Sequence, residues 1–179
     1  MMLIGFGLIL TRGLIYRLSM NYIKLAERTE IRVVESELSE IIESNRKEET
    51  ELSIEQIIRI STKLTNKTLK FSMTKVSNDP NVLIETRLAN CVGYASFFRT
   101  VANKLVKDEG LEDKYVIKHW KGGLELYGVD VHQYFASSFF KDHDFIEVQN
   151  LETGEKIHID PSVSDYLKID RIRSKKIME

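Results

Sequence analysis

Cysteine and proline are both scarce in this chain, which has 1 Cys and 2 Pro among 179 residues. A single cysteine cannot form an internal disulfide, and no Cys/His cluster has the ligand spacing of a zinc site. Neither a disulfide framework nor structural zinc is therefore expected. With 42% hydrophobic residues, a chain of this length can bury the core of one domain without such cross-links.

The sequence also lacks an excess of charge of either sign. Its 26 Lys+Arg and 27 Asp+Glu residues leave a formal net charge of -1. This balance excludes the electrostatic footprint of a dedicated nucleic-acid-binding protein. The one basic segment is the tail from Lys168 to Lys176, and such a run is typical of a solvated surface. The sequence predicts no nucleic-acid partner, no metal and no other cofactor.

Long hydrophobic runs are absent as well. The chain begins with MMLIGFGLIL, but Arg12 and Arg17 follow, whereas a membrane-spanning helix needs roughly 20 apolar residues. A secretory signal would need positive charge before this run and a small-residue cleavage site after it, and the sequence has neither. Three interpretations of residues 1–20 stay open: a membrane-proximal or truncated anchor, an uncleaved export signal, and an N-terminal core helix. The location (cytoplasmic, membrane-associated or exported) therefore stays open, and residues 21–179 are predicted to form one domain.

The periodicity of the remaining chain changes from helical to strand-like. Apolar residues at helical spacing predict helices over residues 23–42, 54–66 and 91–107. Ser53 and Gln56 form a capping-box pattern before the second helix, and residues 43–52 are predicted to be a loop. Short apolar runs separated by glycines then predict strands over residues 115–120, 124–127, 134–140, 145–149 and 156–160. Helices followed by strands predict an α+β domain with an antiparallel sheet.

Cys91 is the first candidate for chemistry, because it opens a predicted helix. Unpaired N–H groups and the helix dipole at that position stabilise a thiolate over a thiol. Asn90 is a good N-cap residue for this helix, and Gly93 would let a substrate backbone approach. The alternative is a small buried cysteine that packs as a hydrophobic residue.

A thiolate nucleophile needs a base, and the base needs an orienting group. The candidates for the base are the four histidines His119, His132, His143 and His158. Each of them, taken alone, is more often a surface or a core histidine than a catalytic one.

Hairpin geometry narrows this choice. Strand alternation in the last two predicted strands puts His143 on the same face as His158 and Asp160. A four-residue loop over residues 151–154 would set Asp160 diagonal to His143, within reach of a hydrogen bond. A two-residue turn at Thr153 and Gly154 would slide His143 past Asp160, so this pairing depends on the longer loop.

Three sequence blocks in this order resemble the transglutaminase-like superfamily of papain-type cysteine enzymes. The stretch from Asn90 to Ala95 looks like its nucleophile block, the stretch from His143 to Val148 like its histidine block, and the stretch from Ile159 to Ser162 like its Asp-Pro block. The resemblance covers roughly residues 53–166. Two departures are Phe145, where the family more usually has Trp, and the stretch YVIKHWK, where it often has an Arg-rich strand.

The resemblance implies a nucleophile-bearing helix packed on an antiparallel sheet, with additional N-terminal helices. It also implies a catalytic triad of Cys91, His143 and Asp160. The backbone N–H of Cys91 is one candidate donor of an oxyanion hole, and the indole N–H of Trp120 is a second, weaker one.

The function implied is that of a cysteine-dependent amide hydrolase, a peptidase or amidase acting on a protein or peptide through a thioester acyl-enzyme. Hydrolysis is favoured over acyl transfer because the sequence shows no calcium loops like those of the large animal crosslinking enzymes. A transglutaminase that transfers the acyl group to an amine is one alternative. The others are a non-catalytic protein-binding domain on the same fold and a membrane-tethered scaffold built on Glu-rich helices.

Overall fold

The computed structural model of the protein describes residues 2–31, 35–44, 51–137 and 140–175. The chain alternates between helices and strands from its start, so the predicted order of helices first and strands afterwards is wrong. The helices are α1 (Met2–Ser19), α2 (Glu35–Glu43), α3 (Ile54–Thr68), α4 (Pro80–Thr86), α5 (Cys91–Asp108) and α6 (Pro161–Leu167). The strands are β1 (Met20–Glu27), β2 (Lys70–Phe71), β3 (Leu88–Ala89), β4 (Tyr115–Leu126), β5 (Val129–Asp130), β6 (His143–Asn150), β7 (Lys156–Ile159) and β8 (Ser174–Lys175).

The main sheet has the strand order β7-β6-β4-β1-β8, with β5 paired to β4 at one end. Every pair is antiparallel except β1 with β8, which is parallel. The sheet is therefore mixed, and the predicted antiparallel sheet is correct for all but the last strand. Together with the helices it forms an α+β fold, as predicted.

Strand β1 corrects the predicted helix over residues 23–42. Residues 20–27 form a strand that pairs with β4 on one side and β8 on the other, while Glu35–Glu43 is helical as predicted. The local sequence predicts a helix because apolar and acidic residues continue through this region. The pairing partners of β1 lie about 100 and 150 residues away in sequence, and their hydrogen bonds outweigh local propensity.

Strand β4 joins two predicted strands into one. Gly122 and Gly123 do not form a turn, because they lie inside this continuous strand of 12 residues. A Cβ atom on Gly122 would lie 2.6 Å from the ring of Phe145 and 2.9 Å from the carbonyl oxygen of His143. Glycine at this position therefore lets β6 and its aromatic ring approach closely, which is a recognised role of glycine within strands.

Helices α3 and α5 confirm the two predictions made for the middle of the chain. Ser53 caps α3 by accepting a hydrogen bond from the N–H of Gln56, and the Gln56 side chain accepts from the N–H of Ser53, so the predicted capping box is present. Helix α5 packs on the sheet through fully buried residues: Phe97, Phe98, Val101, Ala102 and Leu105 against Ile146, Val148 and Ile159.

Two further predictions cover residues that the structure describes only in part. The predicted strand over residues 134–140 is wrong where the structure describes it, since Val131–Tyr134 is a 3-10 turn and residues 135–137 are irregular. Residues 138–139 lie outside the described residues, as do residues 45–50 of the predicted loop. Residues 2–19 form one helix, and within the described chain no helix has both the length and the apolar character that crossing a membrane demands.

Candidate active site

The nucleophile candidate lies where the sequence predicts it. Cys91 is the first residue of α5, and Asn90 caps that helix by accepting a hydrogen bond from the N–H of Gly93. The cysteine is free, and its exposed fraction is 7%. Because Cys91 occupies the first turn, its sulfur lies at the positive end of the helix dipole.

Gly93 has a different role from the one predicted. A Cβ atom on this residue would lie 2.9 Å from the Cβ of Ala89 and 3.4 Å from the side chain of Leu83. The residue is buried against β3 and α4, so it faces the protein interior and not a substrate. Glycine is required here because the start of α5 packs closely on these two elements.

The hairpin of β6 and β7 has the predicted register. Ile146 pairs with Ile159 and Glu147 with His158, which places Phe145 across from Asp160 and leaves His143 diagonal to it. The imidazole of His143 donates from Nε2 to Oδ2 of Asp160 at 2.5 Å. This result follows from the longer of the two loops that the sequence allowed.

Asp160 is fully buried, and its carboxylate accepts five hydrogen bonds. Oδ2 accepts from His143 and from the hydroxyl of Tyr22, which lies 2.7 Å away. Oδ1 accepts from the hydroxyl and N–H of Ser162 and from the N–H of Val163. Asp160 is the N-cap of α6, so the same residue that orients His143 also begins a helix.

The pKa values of this pair move in opposite directions. Burial lowers the pKa of His143, but the charge of Asp160 and the hydrogen bonds with Asp160 and Cys91 outweigh burial and raise it well above 6.5. Burial raises the pKa of Asp160, but the charge of His143 and the hydrogen bonds from His143, Ser162 and Tyr22 lower it below 3.8 overall. Asp160 and Cys91 therefore favour the protonated form of His143, which lies between the carboxylate and the sulfur.

Cys91 acts on this pair through the imidazole, because a hydrogen bond with its side chain and the charge of that side chain both raise the pKa of His143. Nε2 of the ring is hydrogen-bonded to Asp160, which leaves Nδ1 for the thiol. The three predicted triad residues thus form one continuous chain from sulfur to imidazole to carboxylate. A thiol, a base and an orienting carboxylate in this order are the parts of an activated nucleophile.

The other three histidines do not join the triad chain. Among the described residues, the ring of His132 bonds to backbone groups: Nε2 accepts from the N–H of Leu124, and Nδ1 donates to the carbonyl of Phe140. His158 bonds to Glu147 at 2.9 Å, and His119 bonds to Asp144 at 2.7 Å. The contact of His119 could not be predicted from sequence spacing, because Asp144 lies on β6, 25 residues further along the chain.

The predicted oxyanion donors have different surroundings. The N–H of Cys91 belongs to the first turn of α5, where backbone donors have no intrahelical acceptor. Trp120 lies on β4 across from Phe145, and its Nε1 is a buried donor without an acceptor among the described residues.

Strand β1 and helix α1 contribute residues to the site that sequence reasoning does not assign to it. The hydroxyl of Tyr16 donates to that of Tyr22, because Tyr22 uses its own proton on Asp160. Just beyond β1, Arg28 makes two hydrogen bonds with Asp144, the residue after His143. The backbone carbonyl of Arg28 also accepts from Arg99 on α5 at 2.9 Å. Residues 16–28 therefore hold the strand of His143 and the helix of Cys91 together.

The described residues contain no group of three or more His, Cys, Asp or Glu side chains that could hold a metal ion. In comparisons with known proteins, no family model, curated protein or solved structure matches the chain.

Proposed function

We propose that this chain is a transglutaminase-like cysteine hydrolase that cleaves an amide bond of a protein or peptide through a thioester acyl-enzyme. The observation that carries the proposal is the chain of contacts from Cys91 through His143 to the buried Asp160. The three sequence blocks that resemble the superfamily contain these same three residues, in the same order, on an α+β fold.

In the first half of the reaction, the Cys91 thiolate attacks the amide carbonyl carbon, and a C–S bond forms while the carbonyl π electrons move to oxygen. The helix terminus and the Cys91 N–H offer positive charge to this oxyanion. When the carbonyl re-forms, the C–N bond breaks, and the His143 imidazolium donates its proton to the leaving amine. The raised pKa of His143 means that the proton is available for this step.

In the second half, His143 takes a proton from water while the water oxygen attacks the thioester carbonyl. A C–O bond forms, the C–S bond breaks with its electron pair left on sulfur, and the proton stays on His143, so that a carboxylic acid leaves and the starting pair of thiolate and imidazolium is regenerated. Asp160 keeps Nε2 protonated throughout and thus leaves Nδ1 for the proton transfers. An amine in place of water would give acyl transfer, but water needs no second binding site.

The proposal is tested without a known substrate by alkylation of Cys91 with iodoacetamide at pH 6. Wild-type protein should react readily, because His143 stabilises the thiolate, and His143→Ala should slow the reaction strongly. His158→Ala is the matched control, because His158 also contacts a buried carboxylate on the same hairpin but does not contact the thiol. Equal rates in all three proteins would overturn the proposal and leave a non-catalytic binding domain.

Acylation is tested with p-nitrophenyl acetate, a small activated ester that cysteine nucleophiles attack. Wild-type protein should release nitrophenolate in a burst, gain one acetyl group on Cys91 by mass spectrometry, and then turn over slowly as water removes the acetyl group. Cys91→Ala should show neither burst nor label. If the acetyl group is stable in water but is removed by added propylamine, the acceptor is an amine. This result would contradict hydrolysis.

A further inference from the structure

Helix α1 turns an apolar stripe away from the domain. Its inner side is set by Arg12, which donates to the carbonyl of Leu167, and by Tyr16 and Ser19. Each residue advances a helix by about 100°, so Leu14 and Leu18 lie away from these residues, and Ile15 lies on the flank of the helix beside them. All three are exposed, and Leu18 is 64% exposed.

A second group of exposed apolar residues adjoins the end of this stripe. The turn between β4 and β5 carries Leu126, Tyr127 and Val129, and the side chain of Tyr127 is 76% exposed. The N–H of Tyr127 donates to the carbonyl of Ser19 at 2.8 Å, which fixes this turn against the last residue of α1. We call the six residues of the stripe and the turn the apolar face: Leu14, Ile15, Leu18, Leu126, Tyr127 and Val129. Contiguous exposed apolar surface of this kind marks an interaction site.

Positive charge lies on the domain-facing side of α1, with Arg17 on the flank next to the apolar stripe. A groove of about 350 Å³ runs between the helix and residues 168–171, and its charged lining is four cations against one carboxylate: Arg12, Arg17, Lys168 and Arg171 against Asp170. The basic tail continues from this groove into β8, which pairs with β1 at Tyr22 and Ile23, next to the end of α1. The tail that composition assigned to ordinary solvated surface is thus fixed against α1, the helix that carries the apolar stripe.

We propose that the apolar face is a docking surface for the anionic surface of a lipid bilayer, on which α1 lies parallel to the membrane plane. An apolar stripe with cations beside it is the arrangement of an interfacial helix, and an exposed tyrosine is favoured at the level of the headgroups. A second copy of the chain fits less well. A two-fold contact through this face would bring the same cations of both copies together, whereas anionic headgroups neutralise them.

Vesicle co-sedimentation of the full chain tests this proposal. The chain should bind vesicles of phosphatidylcholine with 30% phosphatidylserine more tightly than vesicles of phosphatidylcholine alone, and 1 M NaCl should remove the difference. The double variant Leu14→Glu/Leu18→Glu should weaken binding to both vesicles at least about tenfold, because two apolar side chains lose their buried positions. Arg17→Gln/Arg171→Gln should weaken binding to the anionic vesicles alone, by several-fold.

Leu151→Glu is the matched control. Leu151 is 50% exposed, but it follows β6 at the end that pairs with Tyr115, the opposite end of β4 from the turn at Tyr127. This variant should bind vesicles like wild type, and thermal unfolding should show that all variants are folded. Equal binding by wild type and Leu14→Glu/Leu18→Glu would overturn the proposal. A wild-type dimer in light scattering that this double variant converts to monomer would overturn it as well, because a second copy would then cover the face.

Discussion

Two carboxylate–imidazole pairs occupy the same face of the β6–β7 hairpin, and only one of them reaches a thiol. Near the start of β6, Asp160 holds His143, and in the middle of the strand Glu147 holds His158. Both carboxylates are fully buried, and both pairs are within hydrogen-bond distance. The difference lies in what else each carboxylate contacts.

Two cations lie beside Glu147. Lys24 forms an ion pair with its carboxylate, and the Lys156 ammonium lies 3.7 Å from the second carboxylate oxygen. Apart from His143, the donors that Asp160 has among the described residues are neutral: two hydroxyls and two backbone N–H groups. Neutral donors fix the position of a carboxylate without cancelling its charge. The charge of Asp160 therefore acts on His143, whereas that of Glu147 is shared among a histidine and two lysines.

The third pair on this sheet, Asp144 with His119, follows the pattern of Glu147. Arg28 contacts Asp144 with two nitrogens at 2.9 and 3.0 Å, so an arginine cancels that carboxylate's charge. A buried carboxylate beside an imidazole thus occurs three times on this sheet, and in two of the three pairs the carboxylate also contacts a lysine or an arginine. What distinguishes the candidate site is a carboxylate held by neutral donors and an imidazole that is also a hydrogen-bond partner of Cys91.

The largest effect should come from the histidines themselves. His143→Ala should lower turnover of p-nitrophenyl acetate by about 10²- to 10⁴-fold, the usual contribution of a general acid–base residue. His158→Ala should leave turnover near that of wild type, because its carboxylate is paired with lysines and its ring does not contact Cys91. The reverse result would show that the comparison assigns the wrong pair.

The second largest effect should come from the two carboxylates. Asp160→Asn keeps the shape of the side chain but favours the wrong imidazole tautomer, and a cysteine enzyme should lose about 10- to 10³-fold in turnover. The corresponding change Glu147→Gln should cost stability but little activity. Thermal unfolding separates the two outcomes, and a folded Asp160→Asn variant with full activity would leave a dyad of Cys91 and His143.

A third prediction concerns acid stability, where Glu147 should dominate over its exposed neighbours. Burial raises its pKa, but hydrogen bonds and charges of His158 and Lys24 lower it from 4.5 to about 2. The unfolded chain binds this proton more readily, so the stabilisation is present above pH 4.5 and is lost as the pH falls toward 2. The shift corresponds to about 3 kcal/mol of unfolding free energy.

Urea denaturation at pH 7, 4 and 2.5 measures this contribution. Between pH 4 and 2.5, Glu147→Gln should lose less unfolding free energy than wild type, because the variant has no proton to take up at this position. Glu155→Gln, at an exposed position before β7, should keep the wild-type slope. Identical slopes in all three proteins would show that Glu147 is not held by charge and would remove one half of the comparison.

The parts of this site that the sequence predicts are those that depend on local chain geometry. The periodicity of α5 and its Asn90 cap place Cys91, and counting the loop between β6 and β7 places Asp160 beside His143. The support of these residues depends on pairing between distant segments. Tyr22 contacts Asp160, which is 138 residues away in sequence, because β1 lies in the sheet. That strand could not be predicted, because the residues around Tyr22 have a helix-like composition. The contact of His119 with Asp144 is likewise a cross-strand contact without a local signal.

The smallest effect should come from Tyr22, which acts on the triad through Asp160. Tyr22→Phe keeps the ring, which packs edge-on against Phe145 with 5.3 Å between centroids, and removes one donor to Oδ2. The loss of this buried hydrogen bond should lower the unfolding free energy by about 1 to 3 kcal/mol, because Asp160 and Tyr16 each lose a partner. Turnover should fall by less than in Asp160→Asn, since His143 still donates to the same oxygen.

The pH profile separates positioning from mere support of the fold. The hydroxyl of Tyr22 is one of the groups that lower the pKa of Asp160, so its removal leaves more negative charge facing His143. The imidazolium should then persist to higher pH, and the alkaline limb of nitrophenolate release should move upward in Tyr22→Phe. Tyr16→Phe is the matched control, because its hydroxyl bonds to Tyr22 and not to Asp160, and its profile should stay close to that of wild type. A destabilised Tyr22→Phe with the wild-type profile would show that Tyr22 supports the fold alone, and the neutral donors of Asp160 would then not explain how the two pairs differ.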